Sequence, residues 1–478
     1  MFYNEIINNC SPEHIAMRHN GESITYETLN KHVNKYATYL HATGVSTGDY
    51  VGLYYGNSPE FIYTYLAVSA LGGVIVPFNR MLTENEVAYI AEDADMKHIV
   101  TMKTLEIDAQ YNQIVLPDVQ EAILKTAVLD LPTIERSIDD VNTVIYTSGT
   151  TGKPKGAMLT HANLISNAIS SIDHFNLNAD DIHLCVLPMF HSFAWTVSVS
   201  TALYTGATIV IEDTFHPKNI IQRIREEQIS IVSGVPAMYS YYLSLGKKED
   251  FESVRAFISG GAALPVEILE NFEKKMAKKI CEGYGLSESS PVVSINPVNR
   301  TKAGSIGRPI KDVSVKIVDT AGNERPTGES GEIVVQGPNV MKGYKNLPEE
   351  TAKAIVDDWL HTGDVGYIDE DGYIYIVDRI KDIIIVSGLN VYPREIEELI
   401  YSYGGVLEAA VIGQEDKRRG EIPVAFVAVE DKDRFDIAGL EAFLQKNLAQ
   451  FKWPKKVTLM DALPKNATGK IMKRALKQ

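Results

Sequence analysis

Over its first three quarters the chain alternates short apolar runs with amphipathic stretches of helical period, and this alternation restricts the fold more than any other feature. Glu27 to Thr43 spaces its apolar residues as an amphipathic helix stopped at Gly44, and the strand-like YVGLYYG follows. A helix around Glu60–Leu71 then runs into GVIVPF, and TENEVAYIAEDA runs into KHIVTM. The same alternation returns at Asn163–Phe175 with HLCVLP, and again from TIVIED through QISIVSGVP. Strands alternating with helices predict parallel sheets covered on both faces. Phe61 to Phe78 is largely apolar and nearly long enough to span a bilayer. It contains Gly72, Gly73 and Pro77, so the expectation is a buried helix entering a core strand, with no integral membrane segment.

From Gly304 the texture changes. VSVKIVD, GEIVVQG and GYIYIVD, separated by AGNERPTGESG and DEDG turns, read as antiparallel strands. A break falls near Asp378–Lys381, after which IIIVSG, PREIEELIYSYG, LEAAVIGQ, PVAFVAVE and a helix at Ile437–Leu448 supply the content of a small α+β domain. The expected architecture is α/β. A large N-terminal body (1–378) of mixed and parallel sheets covered by helices, with a β-rich subdomain, is joined by a hinge to a small C-terminal α+β domain (381–478). At 478 residues the chain can bury several hydrophobic cores.

Composition removes several function classes. With 45% apolar and 23% charged residues this is a globular chain, and a net charge of −16 argues against nucleic acid as the main partner. Cys10, Cys185 and Cys281 form no CxxC pair, so neither a disulfide framework nor a zinc site is expected. A reducing, cytoplasmic setting fits best. MFYNEIINNC lacks the layout of a signal peptide, and Leu-Lys-Gln is no peroxisomal address. The last fifteen residues carry Lys465, Lys470, Lys473, Arg474 and Lys477 with no acid; on composition this is a solvated basic tail.

The strongest chemical signal is Tyr146 to Gly156, YTSGTTGKPKG, directly after the strand-like TVIYT. Hydroxyls, exposed backbone N–H groups and two lysines in one short loop can wrap phosphate oxygens. The Walker spacing fails here, since Thr147 stands five residues before Gly152 and Pro154 follows Lys153. A flexible connector is the plain alternative.

This loop closely resembles the signature of the adenylate-forming superfamily, which contains acyl-CoA synthetases, adenylation domains of peptide synthetases and firefly-type luciferases. Further motifs of that family follow in order: GYGLSE (283–288), HTGD (361–364), DRIKD (378–382) and PKNATGK (464–470). The resemblance covers essentially the whole chain. It implies nucleotide contacts from Thr147, Ser148, Gly149, Thr150, Thr151, Gly152 and Lys155 in the first loop. It adds Gly260, Gly261 and Ala262, then Glu282, Gly283, Tyr284, Gly285 and Ser287, with Tyr284 able to stack on adenine and Gly283–Tyr284–Gly285 read as a tight turn before Glu288. Glu288 resembles the magnesium ligand, a hard carboxylate oxygen suited to Mg²⁺. Ser287 stands where relatives often have Thr and keeps the hydroxyl. Asp364 and Arg379 resemble the ribose contacts. Lys470 resembles the lysine that bridges the carboxylate substrate and the α-phosphate, where a preorganised cation stabilises gathering negative charge. Thr147, His191, Glu288 and Lys470 are the catalytic candidates.

The implied reaction joins a carboxylic acid to a thiol in two steps. A carboxylate attacks the α-phosphorus of Mg·ATP, releasing pyrophosphate, and a thiol then displaces AMP from the acyl-adenylate. In the family the small domain rotates between the steps; Lys381 occupies the hinge position, where many relatives have Asp, and Gly388 lies on the face expected to serve the thiol step. Pro188 to Trp195 (PMFHSFAW) resembles the acid-pocket segment of acyl-CoA synthetases. His191 stands where amino-acid-activating relatives usually have Asp, which implies an acid without an α-amino group. Phe193, Trp195, Val235, Gly260 and Gly285 complete the expected acyl pocket. Trp195 resembles a gating indole of some fatty-acyl-CoA synthetases, although on an apolar segment it also reads as core. A medium- or long-chain fatty acid is the expected substrate. Uninterrupted KDIIIVSGLNVYPREIEE favours CoA as acceptor over an acyl carrier protein. The alternatives are a free-standing enzyme loading a phosphopantetheine carrier protein, a luciferase-like oxidative enzyme, and a catalytically inactive nucleotide-binding module. Oligomeric state, a homodimer included, stays open.

Overall fold

The computed structural model describes residues 1–129, 134–147, 153–429, 431–466 and 469–477. Among them the alternating region forms two sheets. In the first, strands Ile280–Gly285, Ala256–Ser259, Ile231–Gly234, Ile182–Cys185, Thr208–Ile211 and Ile15–His19 lie side by side and parallel. Antiparallel strands Val292–Ile295 and Glu22–Thr25 flank them. The second sheet runs parallel through Val141–Thr147, Val74–Pro77, Tyr50–Tyr54, His98–Thr101 and Asn112–Val115. Lys155–Thr160 turns back antiparallel against Val141–Thr147 and carries Gly343–Tyr344 on its outer edge.

Local chemistry sets the helices between these strands. Ser58 caps Pro59–Ala70, accepting from the Phe61 amide at 3.3 Å, and Pro59 occupies the first turn, where no amide bond is lost. The helix then enters the buried strand Val74–Pro77, as its apolar run predicted. No helix among the described residues is long and apolar enough to cross a membrane. Thr160 caps His161–Phe175, and Asn176 in the left-handed region ends it. One core cluster unites both sheets, from Tyr3 through Ile374.

The region after Gly304 is antiparallel as expected. Ser314–Val318, Gly331–Gln336 and Trp359–Ile368 pair in turn, and Ile374–Arg379 joins the other edge of Trp359–Ile368. Beyond it, strands Val406–Asp416 and Gly420–Val429 form a long hairpin, with Ile384–Val386 and Val457–Met460 against Gly420–Val429. Helices Pro393–Tyr401 and Ile437–Asn447 pack on this sheet around Ile384, Val391, Ile396, Leu440 and Leu444, a core separate from that of the body.

Two local expectations are corrected. Gly283–Gly285 is not a tight turn but the bulged end of a strand. A Cβ at Gly285 would fall 1.9 Å from the Pro291 carbonyl oxygen, so only glycine lets that backbone pass. The basic tail is not simply solvated: Lys465 pairs with Glu408, and Lys473 with Glu397 at 2.7 Å.

Candidate active site

Four neighbouring parallel strands end on the same side of the first sheet, where open α/β sheets place their ligands. Pro188–His191 follows Ile182–Cys185, Val235 follows Ile231–Gly234, and Gly260–Ala262 follow Ala256–Ser259. Glu282, Gly283, Tyr284 and Gly285 close Ile280–Gly285. Residues dispersed over a hundred positions thus converge because the strands are parallel and in register.

The most explicit geometry surrounds Asp364. It lies within Trp359–Ile368, not at a strand end, directly across from Arg379 on Ile374–Arg379. Its Oδ1 receives the Arg379 Nε at 3.1 Å, and its Oδ2 accepts from the Tyr284 hydroxyl at 2.5 Å. The side chain is only 4% exposed. Burial, then the Asp364 carboxylate, raises the Tyr284 phenol well above its ordinary value, so Tyr284 stays a neutral donor.

Glu288 sits in the short turn Ser287–Ser289. Its Oε1 accepts from the Tyr344 hydroxyl at 2.9 Å and lies 3.5 Å from the Thr147 hydroxyl. Thr147 is paired across its hairpin with Lys155, whose ammonium meets Glu350 at 2.6 Å and lies 5.2 Å from the Tyr344 ring centre. Hydrogen bonds from Lys155 and Lys353 push the Glu350 carboxyl down to about 2. Ser148, Gly149, Thr150, Thr151 and Gly152 lie outside the described residues. Among the described residues no group of three His, Cys, Asp or Glu side chains could hold a metal alone. One carboxylate among hydroxyls suits Mg²⁺, which fills its octahedron with phosphate and water oxygens.

At the expected acid pocket, His191 begins a segment that continues into a π-helix, Ala194–Ser200. Its Nδ1 accepts the Phe193 amide at 3.2 Å, which leaves the ring proton on Nε2. Burial, then the Lys470 charge, pushes this imidazole down to about 4, so it is a neutral donor at physiological pH. The Phe193 ring lies over Gly260, where a Cβ would come within 3.2 Å of it. Trp195 is 4% exposed and packs against Tyr65, with ring centres 3.9 Å apart, and against Phe61. The structure therefore places it in the core. Glu282, grouped by sequence with the nucleotide contacts, turns its carboxylate inward to the Leu264 amide at 3.0 Å.

Lys470 reaches this site from the C-terminal region. Its loop is closed by Asn466, which accepts from the Lys470 amide at 3.0 Å and donates its own amide to the Lys470 carbonyl at 2.9 Å. A Cβ on Gly469 would lie 3.1 Å from Val235. Burial, then Arg379, brings the Lys470 ammonium down to about 8, while Asp364 opposes the shift. Lys381 and Gly388 are exposed, Gly388 at φ +81° with nothing within 4 Å of a built Cβ. Sequence reasoning missed Tyr344 and Glu350; only the pairing of Gly343–Tyr344 with Ala157 and Met158 brings them to the loop.

Known protein families and structures match most of this chain. Residues 6–345 match the family described as AMP-binding enzyme, and residues 395–470 match the AMP-binding enzyme C-terminal domain. The chain is 37% identical over 471 residues to a feruloyl-CoA synthase of Amycolatopsis sp, covering 97% of this chain and 95% of that protein. It is 35% identical over 514 residues to a long-chain-fatty-acid–CoA ligase of Bacillus subtilis (strain 168), covering 97% and 91%. Among solved structures it superposes on ATP-bound MatB from Rhodopseudomonas palustris with a TM-score of 0.93 at 33% identity, covering 100% of this chain and 98% of that one. Against the apo form of the same protein the TM-score is 0.82. The chain belongs to the adenylate-forming superfamily of AMP-binding enzymes, within its ATP-dependent acyl-CoA ligases.

Proposed function

We propose that this chain condenses a carboxylic acid lacking an α-amino group with CoA, using ATP and releasing AMP and pyrophosphate, as a cytoplasmic enzyme. The observation that carries the reading is the convergence of Lys470 with Asp364, Arg379 and His191 at the carboxyl ends of the parallel strands. In the first step a carboxylate oxygen attacks the α-phosphorus and the bond to the pyrophosphate oxygen breaks. Asp364 and Arg379 orient the ribose, and Tyr284 and the glycine-rich strand ends hold the base. The His191 Nε2–H donates to the acid, and Lys470 balances charge between carboxylate and phosphate. Glu288, supported by Tyr344 and Thr147, would hold Mg²⁺, which neutralises the departing pyrophosphate. In the second step a thiolate attacks the acyl carbon and AMP leaves with the electron pair of the broken anhydride bond.

Lys470 fills space that the thiol needs, so the reading includes two domains, 1–378 and 381–478, that reorient about Lys381 and bring Gly388 toward the site. The greater likeness to ATP-bound than to apo MatB supports a first-step arrangement here. For the acid, the similarity to a long-chain-fatty-acid ligase supports a medium or long aliphatic chain. An aryl acid is the second reading, supported by the 37% identity to a feruloyl-CoA synthase and by the packing of Trp195 in the core beside Tyr65. ATP–pyrophosphate exchange across fatty, aryl and amino acids, repeated for thioester formation with CoA, tests the reading. Exchange and CoA turnover with fatty acids establish the first, and with aryl acids the second. Exchange without CoA turnover points to a carrier-protein loader, and no exchange with any acid sinks the proposal.

A further inference from the structure

Glu282 poses a problem that its own region does not solve. It is 1% exposed; its Oε1 accepts one amide, from Leu264, and its Oε2 has no partner in the protein. Burial holds this carboxyl up at about 7, and a positive charge opposes that rise. The positive charge that acts on it is the Arg394 guanidinium, and Arg394 belongs to the C-terminal region, in the first turn of Pro393–Tyr401.

Arg394 makes no casual contact there. Its Nη1 donates to the Ile376 carbonyl at 2.9 Å, and its amide donates to Asp378 Oδ2 at 3.0 Å, both acceptors on the body's strand Ile374–Arg379. One turn on, Glu398 accepts from the Val266 amide at 3.4 Å, at the N-terminus of the body helix Val266–Met276, where the helix dipole favours an anion. Arg394 Nε lies 3.7 Å from Glu398 Oε1, so the two side chains brace each other. None of these groups lies among the residues assigned to acid, nucleotide or thiol. They join the two regions in the arrangement that seats Gly469 on Val235 and Lys470 in the site.

We propose that Arg394, braced by Glu398 and received by Ile376 and Asp378, is the fastening that holds the C-terminal region in the orientation of the first half-reaction. It is a positioning residue acting through Lys470. Departure of the C-terminal region returns the Ile376 carbonyl and the Val266 amide to water at little cost, so the fastening is reversible. This inference rests on the two-step reading above.

The test separates the half-reactions. In Arg394→Met, ATP–pyrophosphate exchange should fall by about 10- to 100-fold, the range of a lost coupling between sites, while CoA thioester formation from supplied acyl-adenylate stays within about twofold. The retained second step also shows that the variant is folded. Arg394→Lys, which keeps the charge beside Glu282 but loses the planar fork, should recover part of the exchange. Equal loss in both steps, or no loss, overturns the proposal. Wild-type exchange in the same series reports on the two-step reading itself. Independently of any acid, spin labels on Met81→Cys and Leu407→Cys, both at exposed positions, report the separation of the regions. With Cys10→Ser as background, Arg394→Met should broaden and shift the distance distribution; an unchanged distribution overturns the proposal.

Discussion

The surroundings of Asp364 and Glu288 and those of His191 come from different sheets and are built by opposite means. Around Asp364 and Glu288 each contact is a directed bond between polar groups: Arg379 at 3.1 Å and Tyr284 at 2.5 Å on Asp364, and Tyr344 on Glu288 at 2.9 Å. Around His191 the walls are apolar surfaces, the Phe193 ring over Gly260 and Val235 beside Gly469, and their shape follows from packing. Directed bonds demand particular residue types, so that half tolerates little change of identity. Packed surfaces demand volume, so that half can accept another acid by exchanging a few methylene groups.

Trp195→Ala puts the most strain on this comparison. With the indole packed against Tyr65 in the core, truncation should cost about 3–5 kcal/mol in stability. Denaturant unfolding measures this, and the order of preference among acids should not change. A stable variant with altered chain-length preference would make Trp195 part of the acid side after all. Lys470→Ala should slow pyrophosphate exchange by about a hundred- to a thousandfold, the usual loss when a preorganised charge is removed, while thioester formation from supplied acyl-adenylate persists. Equal loss in both steps would tie the lysine to structure.

Gly260→Ala sharpens the contrast directly. The new Cβ meets Phe193 at 3.2 Å, so selectivity between acids differing in bulk should shift by about 10- to 200-fold. Nucleotide affinity by calorimetry should hold; if it drops instead, the two sides share a wall. Tyr344→Phe acts on the other half alone: losing the bond to Glu288 should raise the Mg²⁺ concentration for half-maximal exchange roughly tenfold, about 1.5 kcal/mol. The smallest effect is a proton. With its ammonium lowered to about 8 by burial, Lys470 is half charged in the free protein at pH 8. A bound triphosphate favours the charged form and raises that value, so ATP binding at pH 8 should take up a fraction of a proton and weaken as pH rises further. Calorimetry in buffers of different ionisation enthalpy reads the uptake, and proton release would contradict it.

The same division governs how much could be read in advance. The alternation of strand and helix dictated both parallel sheets, and the motifs carrying Asp364, Arg379, Glu288 and Lys470 stood out because they resemble, in order, those of the adenylate-forming family. Tyr344, Glu350 and Arg394 did not. Each works only through a partner 40 or more positions away in the chain or on another region, and a lone Tyr, Glu or Arg on a polar stretch looks like surface. Trp195 was undecided because an indole suits a gate and a core equally in one dimension; its packing against Tyr65 is a tertiary fact.

The Lys470 loop has one more consequence. The Lys470–Asn466 pair, the Gly469 amide on the Asn466 carbonyl and the Met472 amide on the Pro464 carbonyl are all bonds within the loop itself. In the alternation proposed above, these bonds travel with the lysine and need not be remade at each arrival, so their entropic cost is met once, at folding, and not at every turnover.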